Sequence, residues 1–329
     1  MKNLNVMPRR ILEAVLLFTM TIGFSGAVLA AEAYPAKPIR LIIPFSPGGG
    51  ADLVGRTIAL KMSERLGQQL VVDNRAGAGG VIGTEMVAKS VPDGYTLGFV
   101  PASFTMQPSL RKLPYDPIKS FSPVARVGRG DFVLVVHPTV PVKSVKEFIT
   151  HARQNPGKLL LSATGPGSSS HMFLELFKMM AGVEFTFVHF KGGGQQVIDL
   201  LGGHTHGMMI GLPAVRPHIL SGKLRAMGTT GTRRSAFLPD VPTIAEGGLP
   251  GYEATVWWGF LAPMGTPASV VNRLNKDLEV VLAMDEIAKF LANLGVEPLY
   301  EGPKVFVSFI KKEIGNWAAV VKKGNIKID

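Results

Sequence analysis

The chain of 329 residues has no cysteine. Disulfides, thiolate metal sites and thiol nucleophiles are therefore excluded together. The fold must be held by its core, and a chain this long can bury one. Basic residues do not gather into blocks. Lys311-Lys312 and Lys322-Lys323 are short pairs, and no basic face carries interleaved aromatics. Nucleic acid is therefore not an expected partner. Beyond the first thirty residues no apolar run reaches the length of a membrane span. At 46% apolar and 18% charged residues the composition is that of an ordinary globular protein.

The first thirty residues read as a leader. "MKNLNVMPRR" is basic, "ILEAVLLFTMTIGFSGAVLA" is mostly apolar, and small residues follow at "AAEA". That order describes a secretory signal peptide over residues 1–30, with an N-terminal membrane anchor as the alternative. The mature chain is then exported, soluble and free of disulfides. The full chain carries 35 Lys and Arg against 24 Asp and Glu, a net +11, which favours acidic ligands or surfaces.

From Ile39 onward strand-like and helix-like segments alternate. "IRLIIPF", "QQLVVDNR" and "YTLGFV" read as strands. "ADLVGRTIALKMSERLG" has Leu53, Val54, Ile58, Met62 and Leu66 at helical spacing, and Gly67 ends it. The style repeats from "FVLVVHPTVPV" through "LRAMGTT", with Ser144 and Glu147 placed as in a capping box. Such alternation predicts an α/β fold with a parallel sheet covered on both faces. The character changes near Trp257-Trp258. Two long helical patterns follow, with "DEIAKFLANLGVEPLY" as a strand-like bridge between them. A late helical pair that packs on the first sheet predicts a discontinuous domain. The expected boundaries are 31–130 with 257–329 for one lobe and 131–256 for the other. Two chain crossings would form a hinge and leave a cleft between the lobes.

Three loops share one form: apolar strand, small residues, helix start. They are "PFSPGGGAD", "SATGPGSSSHM" and "VHFKGGGQQ". Glycine lets the backbone turn sharply and approach a ligand closely. A helix start adds unpaired N–H donors and partial positive charge, so such a loop suits an anion without any cationic side chain. Each loop alone is better read as a tight α/β turn with glycines for geometry only, and it is the three together that favour the anion reading. No nucleotide motif is met. The first loop lacks a Gly-Lys-Ser/Thr ending, and "GAGGVIG" does not stand in the element order of a dinucleotide site.

Catalytic readings are weaker. His204 and His206 lack the acidic or thiolate partners of a zinc set. His171 follows a serine run, but "GPGSSSH" is not the Gly-x-Ser-x-Gly elbow of a serine hydrolase. Asp52 falls in the first turn of its helix, where it serves as a cap, a ligand contact, or both. Trp257 and Trp258 are candidates for core packing, and one of them for a wall of the cleft.

Several long motifs resemble the substrate-binding proteins of tripartite tricarboxylate transporters, the Bug family of TctC type. They include "YPAKPIRLIIPFSPGGGADLVGR", "VVDNRAGAGGVIGTEMVAKSVPDGYTL", "SGKLRAMGTTGTRRSAFLPDVPTIAEGGLPGYE" and "LAPMGTPASVVNRLN". The resemblance runs from about Tyr34 to the C-terminus. It implies a two-lobed periplasmic binding protein, of Venus-flytrap type, that closes on a small carboxylate. It would be monomeric, without cofactor, metal or catalytic activity, and would hand its ligand to a membrane permease or a sensor kinase. Carried over by motif, the implied ligand-binding residues are Phe45, Ser46, Gly48, Gly49 and Asp52 in the first loop. The second loop supplies Thr164, Gly167, Ser168, Ser169 and His171, and the third Lys191, Gly192 and Gly193. "PASFTMQP" adds Ser103, Phe104 and Thr105 towards the variable end of the ligand. In "GHTHGMMIGL" Gly207 and Gly211 stand where relatives carry acidic residues, which leaves the choice of ligand open. The rival readings are a sensory co-receptor and an exported hydrolase using Ser169 and His171.

Overall fold

The computed structural model describes residues 34–328. The signal-peptide segment lies outside the described residues. The first strand, β1 (Ile39–Ile43), is the buried run "IRLII". It leads through Pro44–Gly49 into α1 (Gly50–Leu66), whose Val54, Ile58 and Met62 repeat at four-residue steps and face the core. Gly67 stops the helix in the left-handed region, at φ 68°, which only glycine adopts at little cost. Then come β2 (Leu70–Asn74), α2 (Val81–Ala88), β3 (Thr96–Pro101) and the single turn α3 (Ser103–Met106).

The next strand is longer than its sequence pattern predicts. β4 runs from Phe121 to Val136, whereas only "FVLVV" at its end looks strand-like. Pro123, Gly128 and Gly130 interrupt the first part, and the register against its neighbour shifts twice there. Such bulges absorb residues that a regular ladder cannot hold. After β4 the chain forms α4 (Val145–Gln154), β5 (Leu160–Ala163), α5 (Ser169–Ala181), β6 (Thr186–His189) and α6 (Gly193–Leu201). Ser144 caps α4 by accepting the Glu147 N–H at 3.2 Å, while Glu147 accepts the Lys143 N–H at 2.7 Å. β7 (Gly207–Gly211), α7 (Arg216–Leu220) and β8 (Arg225–Thr229) complete the middle of the chain. The last segment contains β9 (Thr255–Pro263), α8 (Ala268–Leu282), α9 (Asp285–Leu294), β10 (Val296–Glu301) and α10 (Pro303–Gly324). Two of these differ from expectation. "TVWWGFLAP" is a strand, and "DEIAKFLANL" is a helix that precedes a short strand.

The sheet order is β2-β1-β3-β9-β4-β7-β5-β6, with β8 and β10 also paired to β4. The outer strands are parallel, as the alternation predicts: β2, β1 and β3 on one side, β7, β5 and β6 on the other. The centre is antiparallel. Residues Phe121–Asp131 of β4 pair with β9 and β10, and residues Phe132–Val136 pair with β7 and β8. One strand thus carries two half-sheets. Around the second half, Val133, Val135, Met208, Ile210 and Leu200 belong to one buried cluster. From Lys37 onward the chain is one compact unit.

α10 spans both halves. Phe306 packs edge-on against Trp257 of β9 at 5.6 Å, and Trp317 stacks on Phe173 of α5 at 5.8 Å. Among the described residues no helix is long and apolar enough to cross a membrane.

Asp131 sits where β4 passes from one half-sheet to the other. Burial lifts its pKa from 3.8 to about 6, the charge of Glu297 adds to this, and Arg129 and Arg233 oppose it. A carboxyl group raised on folding holds its proton more tightly in the native state. Its contribution to stability is therefore full below the ordinary carboxylate range and is lost as pH rises through about 6. Asp131→Asn should raise the unfolding free energy by about 1–2 kcal/mol at pH 7 and leave it unchanged at pH 4. Urea titrations at the two pH values check this. An equal effect at both would show that the carboxylate charge is not the cause.

Candidate functional site

Three strand-to-helix loops meet around one cavity of about 60 Å³. Its lining includes Gly49, Gly50 and Ala51 at the start of α1, Ser169 and Ser170 at the start of α5, and Gly193 at the start of α6. The first N–H groups of a helix have no partner inside it and carry its positive dipole end. Three such ends on one cavity make a positive site without a formal charge. No lining residue is charged.

Each loop is held in shape by side-chain hydrogen bonds, most of them from residues off the cavity lining. In the first, Gly48 takes φ 79° and donates its N–H to Asp52 at 3.0 Å. The buried Asp52 carboxylate also accepts from Arg56 Nε at 2.9 Å and Asn74 Nδ2 at 2.9 Å, and the same amide group donates to the Phe45 carbonyl at 2.8 Å. Asp52 thus staples the loop to α1 and to the end of β2. In the second loop, Ser168 caps α5 by accepting the His171 N–H at 3.3 Å. The Ser170 hydroxyl accepts the Thr164 N–H at 2.9 Å and lies 3.0 Å from the Thr164 hydroxyl. Ser169 is the exception: its Oγ is buried, unpartnered, and on a residue that lines the cavity. In the third, Gln196 Nε2 donates to the Ser162 carbonyl at 2.6 Å and ties α6 to β5.

His171 is buried behind the second loop and does not line the cavity. Its Nδ1 accepts the Gly167 N–H at 3.0 Å, which places the ring proton on Nε2, 3.6 Å from Glu175 Oε1. Burial acts to raise the Glu175 pKa, but its contacts with His171 and Lys178 outweigh this and hold it below the ordinary value. The edge of the ring meets Phe187 at 4.8 Å and His189 at 5.0 Å. Both nitrogens are thus engaged away from Ser169, so the arrangement is not a nucleophile–base pair.

Phe45, Gly49, Thr164, Ser169 and Gly193 are therefore brought together at the cavity. Gly48, Asp52, Gly167, Ser168 and His171 lie behind it as supports. Ser46 and Gly192 meet where two loops touch: a Cβ on Gly192 would collide with Ser46, and one on Gly194 would lie 2.9 Å from the Pro47 carbonyl. Lys191 is exposed and off the lining. Ser103, Phe104 and Thr105 are buried elsewhere. Phe104 packs against Phe121 at 5.5 Å, and Thr105 donates to the Ala102 carbonyl at 2.8 Å. Of that stretch only Pro101 reaches the cavity.

The remaining lining comes from strands: Phe132, Ile210, Gly211, Val256 and Trp258. Successive strand residues face opposite sides, so Trp258 turns to the cavity while Trp257 packs on Phe306 and Phe309. Sequence reasoning singled out the tryptophan pair but not the others, which carry no motif. Gln107 also escaped notice. Its amide donates to the carbonyls of Gly79 at 3.2 Å and Gly167 at 3.0 Å, and Arg111 donates to the Pro166 carbonyl at 3.1 Å. Gly207 has no room for a side chain, since a Cβ would lie 2.9 Å from the Val135 carbonyl. At Gly211 the nearest obstacle is the Phe132 ring at 3.3 Å.

Residues 54–326 match the tripartite tricarboxylate transporter family receptor model. The chain belongs to that family. It is 37% identical to BugT of Bordetella pertussis over 322 residues, covering 97% of this chain and 98% of that one. The solved periplasmic binding protein BugD is similar to it at TM-score 0.87 and 34% identity, over 89% of this chain and 99% of that one. An R. palustris protein solved with adipate is similar at TM-score 0.87 and 37% identity, over 89% and 99%. The fold is thus the two-lobed α/β architecture of these receptors.

His171→Ala should leave the buried Gly167 N–H without an acceptor and cost about 2 kcal/mol. His171→Asn, whose Oδ1 takes the place of Nδ1, should recover a large part of that loss in urea unfolding. Equal stability of the alanine variant and the parent would remove His171 from its supporting role.

Proposed function

We propose that this protein is a periplasmic receptor that captures a small carboxylate between its lobes and presents it to a tripartite tricarboxylate transport permease. The observation that carries the reading is the meeting of three helix starts on one cavity without a charged lining residue. Backbone donors and helix dipoles favour an anion there, and the low polarity around them strengthens each contact. The adipate seen in an R. palustris relative is a carboxylate of the same chemical class. An exported chain with a leader over residues 1–30 fits a periplasmic receptor.

The lobes we assign are 31–130 with 257–329, and 131–256. β4 and β9 then form the two crossings. The loop Ser46–Gly49 belongs to one lobe and Gly192–Gly194 to the other, and their backbones are in contact. Gln107 and Arg111 reach from the first lobe to the Pro166–Gly167 carbonyls of the second. These contacts describe a closed state. A ligand favours closure only by binding that state better than the open one.

A binding acid should raise the melting temperature, since it stabilises only the folded form. Its primary amide, of nearly the same shape without the charge, should bind at least about 100-fold more weakly by calorimetry, a difference of about 2.7 kcal/mol. Equal binding of acid and amide would overturn the anion site. Gly192→Ala tests closure. The added methyl collides with Ser46 only when the loops meet. Affinity should fall about ten-fold or more while the ligand-free melting temperature stays unchanged. Scattering at saturating ligand should show a larger radius of gyration than the parent. A fully closed variant with parental affinity would rule out this contact as the closing step.

A further inference from the structure

The cavity has two chemically different sides. The loop side holds the helix starts and the unpartnered Ser169 hydroxyl. The sheet side is built from strand residues that are register neighbours around the crossing of the half-sheets. Trp258 of β9 pairs with Pro101 of β3, Phe132 of β4 pairs with Gly211 of β7, and Val256 of β9 pairs with Gly130 of β4. Ile210 lies next to Gly211. The side chains on this floor carry no hydrogen-bonding group, apart from the indole edge of Trp258. The strand N–H and C=O groups beneath them are engaged in the sheet ladders.

From this we infer that the ligand is a compact monocarboxylic acid with an apolar tail, and that the floor rejects acids bearing a second charge. The inference rests on the carboxylate reading above and refines it. One carboxylate satisfies the loop side. A second carboxylate, an ammonium or a hydroxyl at the other end of the molecule would be buried against Phe132, Ile210 and Val256 with no partner, and an unpaired buried charge is strongly disfavoured. An apolar tail instead exchanges water for close-packed carbon. Discrimination of this kind is steep because the rejected group loses its hydration and gains nothing.

The experiment compares acids of matched carbon count by calorimetry and thermal shift: butanoate with succinate, pentanoate with glutarate, 4-methylbenzoate with terephthalate. Each monoacid that binds should do so at least about 100-fold more tightly than its diacid partner. 4-Aminobutanoate, with its ammonium at the far end, should bind more weakly than butanoate by a similar factor. Val256→Thr adds a hydroxyl to the floor at constant volume and should narrow the ratio within each pair. Ser169→Ala acts on the loop side and should weaken both members equally. Diacids that bind as tightly as their monoacids would overturn the inference while leaving the carboxylate site intact. Failure of every acid to bind would instead overturn the carboxylate reading itself.

Discussion

Backbone donors at helix starts can serve a ligand only if the protein's own groups leave them free and if opposing backbones come within a few ångströms. That constraint organises this structure. Gly192 lies so close to Ser46, and Gly49 to Gly193, that neither loop has room for a side chain at its tip. Glycine is required there by the approach of two backbones, and at Gly48 also by a positive φ. Most of the side chains that shape these loops are set behind them. Asp52, Asn74, His171 and Gln196, all off the lining, each satisfy a loop group, and Ser170 on the lining holds the Thr164 N–H. The supports are polar and, Asn74 apart, buried, so their partners are fixed and the loops stand ready before any ligand arrives.

The half-sheets explain how the loops are aimed. β4 serves one half-sheet with Phe121–Asp131 and the other with Phe132–Val136, so the floor of the cavity falls at the passage between them. A continuous strand gives the crossing stiffness, and the bulges in its first part give it curvature. Asp131 marks the same place. Burial at the crossing disfavours its charge and raises its pKa, although Arg129 and Arg233 oppose the shift. α10 adds a second tie, since Trp257 and Phe173 lie on different halves and the helix packs on both.

The three loops were legible because a strand, a glycine cluster and a helix start form a local pattern that survives in sequence. Asp52 was legible as a first-turn acid, and its role as a staple follows from Arg56 and Asn74. The floor was not legible. Phe132, Ile210, Val256 and Pro101 come from four strands, and nothing local distinguishes them from other buried apolar residues. β9 was hidden because "TVWWGFLAP" lacks alternation, being buried on both faces. The first part of β4 was hidden by its proline and glycines. Ser103, Phe104 and Thr105 were placed near the ligand by motif, yet they form a helical turn packed on Tyr115 and Phe121. Only Pro101, at the end of β3, turns to the cavity, since residues two or three positions on have already rotated away with the turn.

A receptor that must bind and release gains from having no cation in its cleft. Arg40 and Arg56 flank the first loop, and they are committed to Asp73 and to Asp52 with Asn74 respectively. Lys191 precedes the third loop and stays exposed. On the proposed reading, a guanidinium in a cavity of about 60 Å³ would have to lose most of its water whenever the lobes met without ligand. Helix-start amides carry a smaller burden, because each bears only a partial charge. On the proposed reading, their attraction for an anion is strongest when the lobes are closed around it and water is excluded, and it fades when the cleft opens and water returns. Capture and release would then follow from the same geometry, with the dielectric around the amides as the variable that changes.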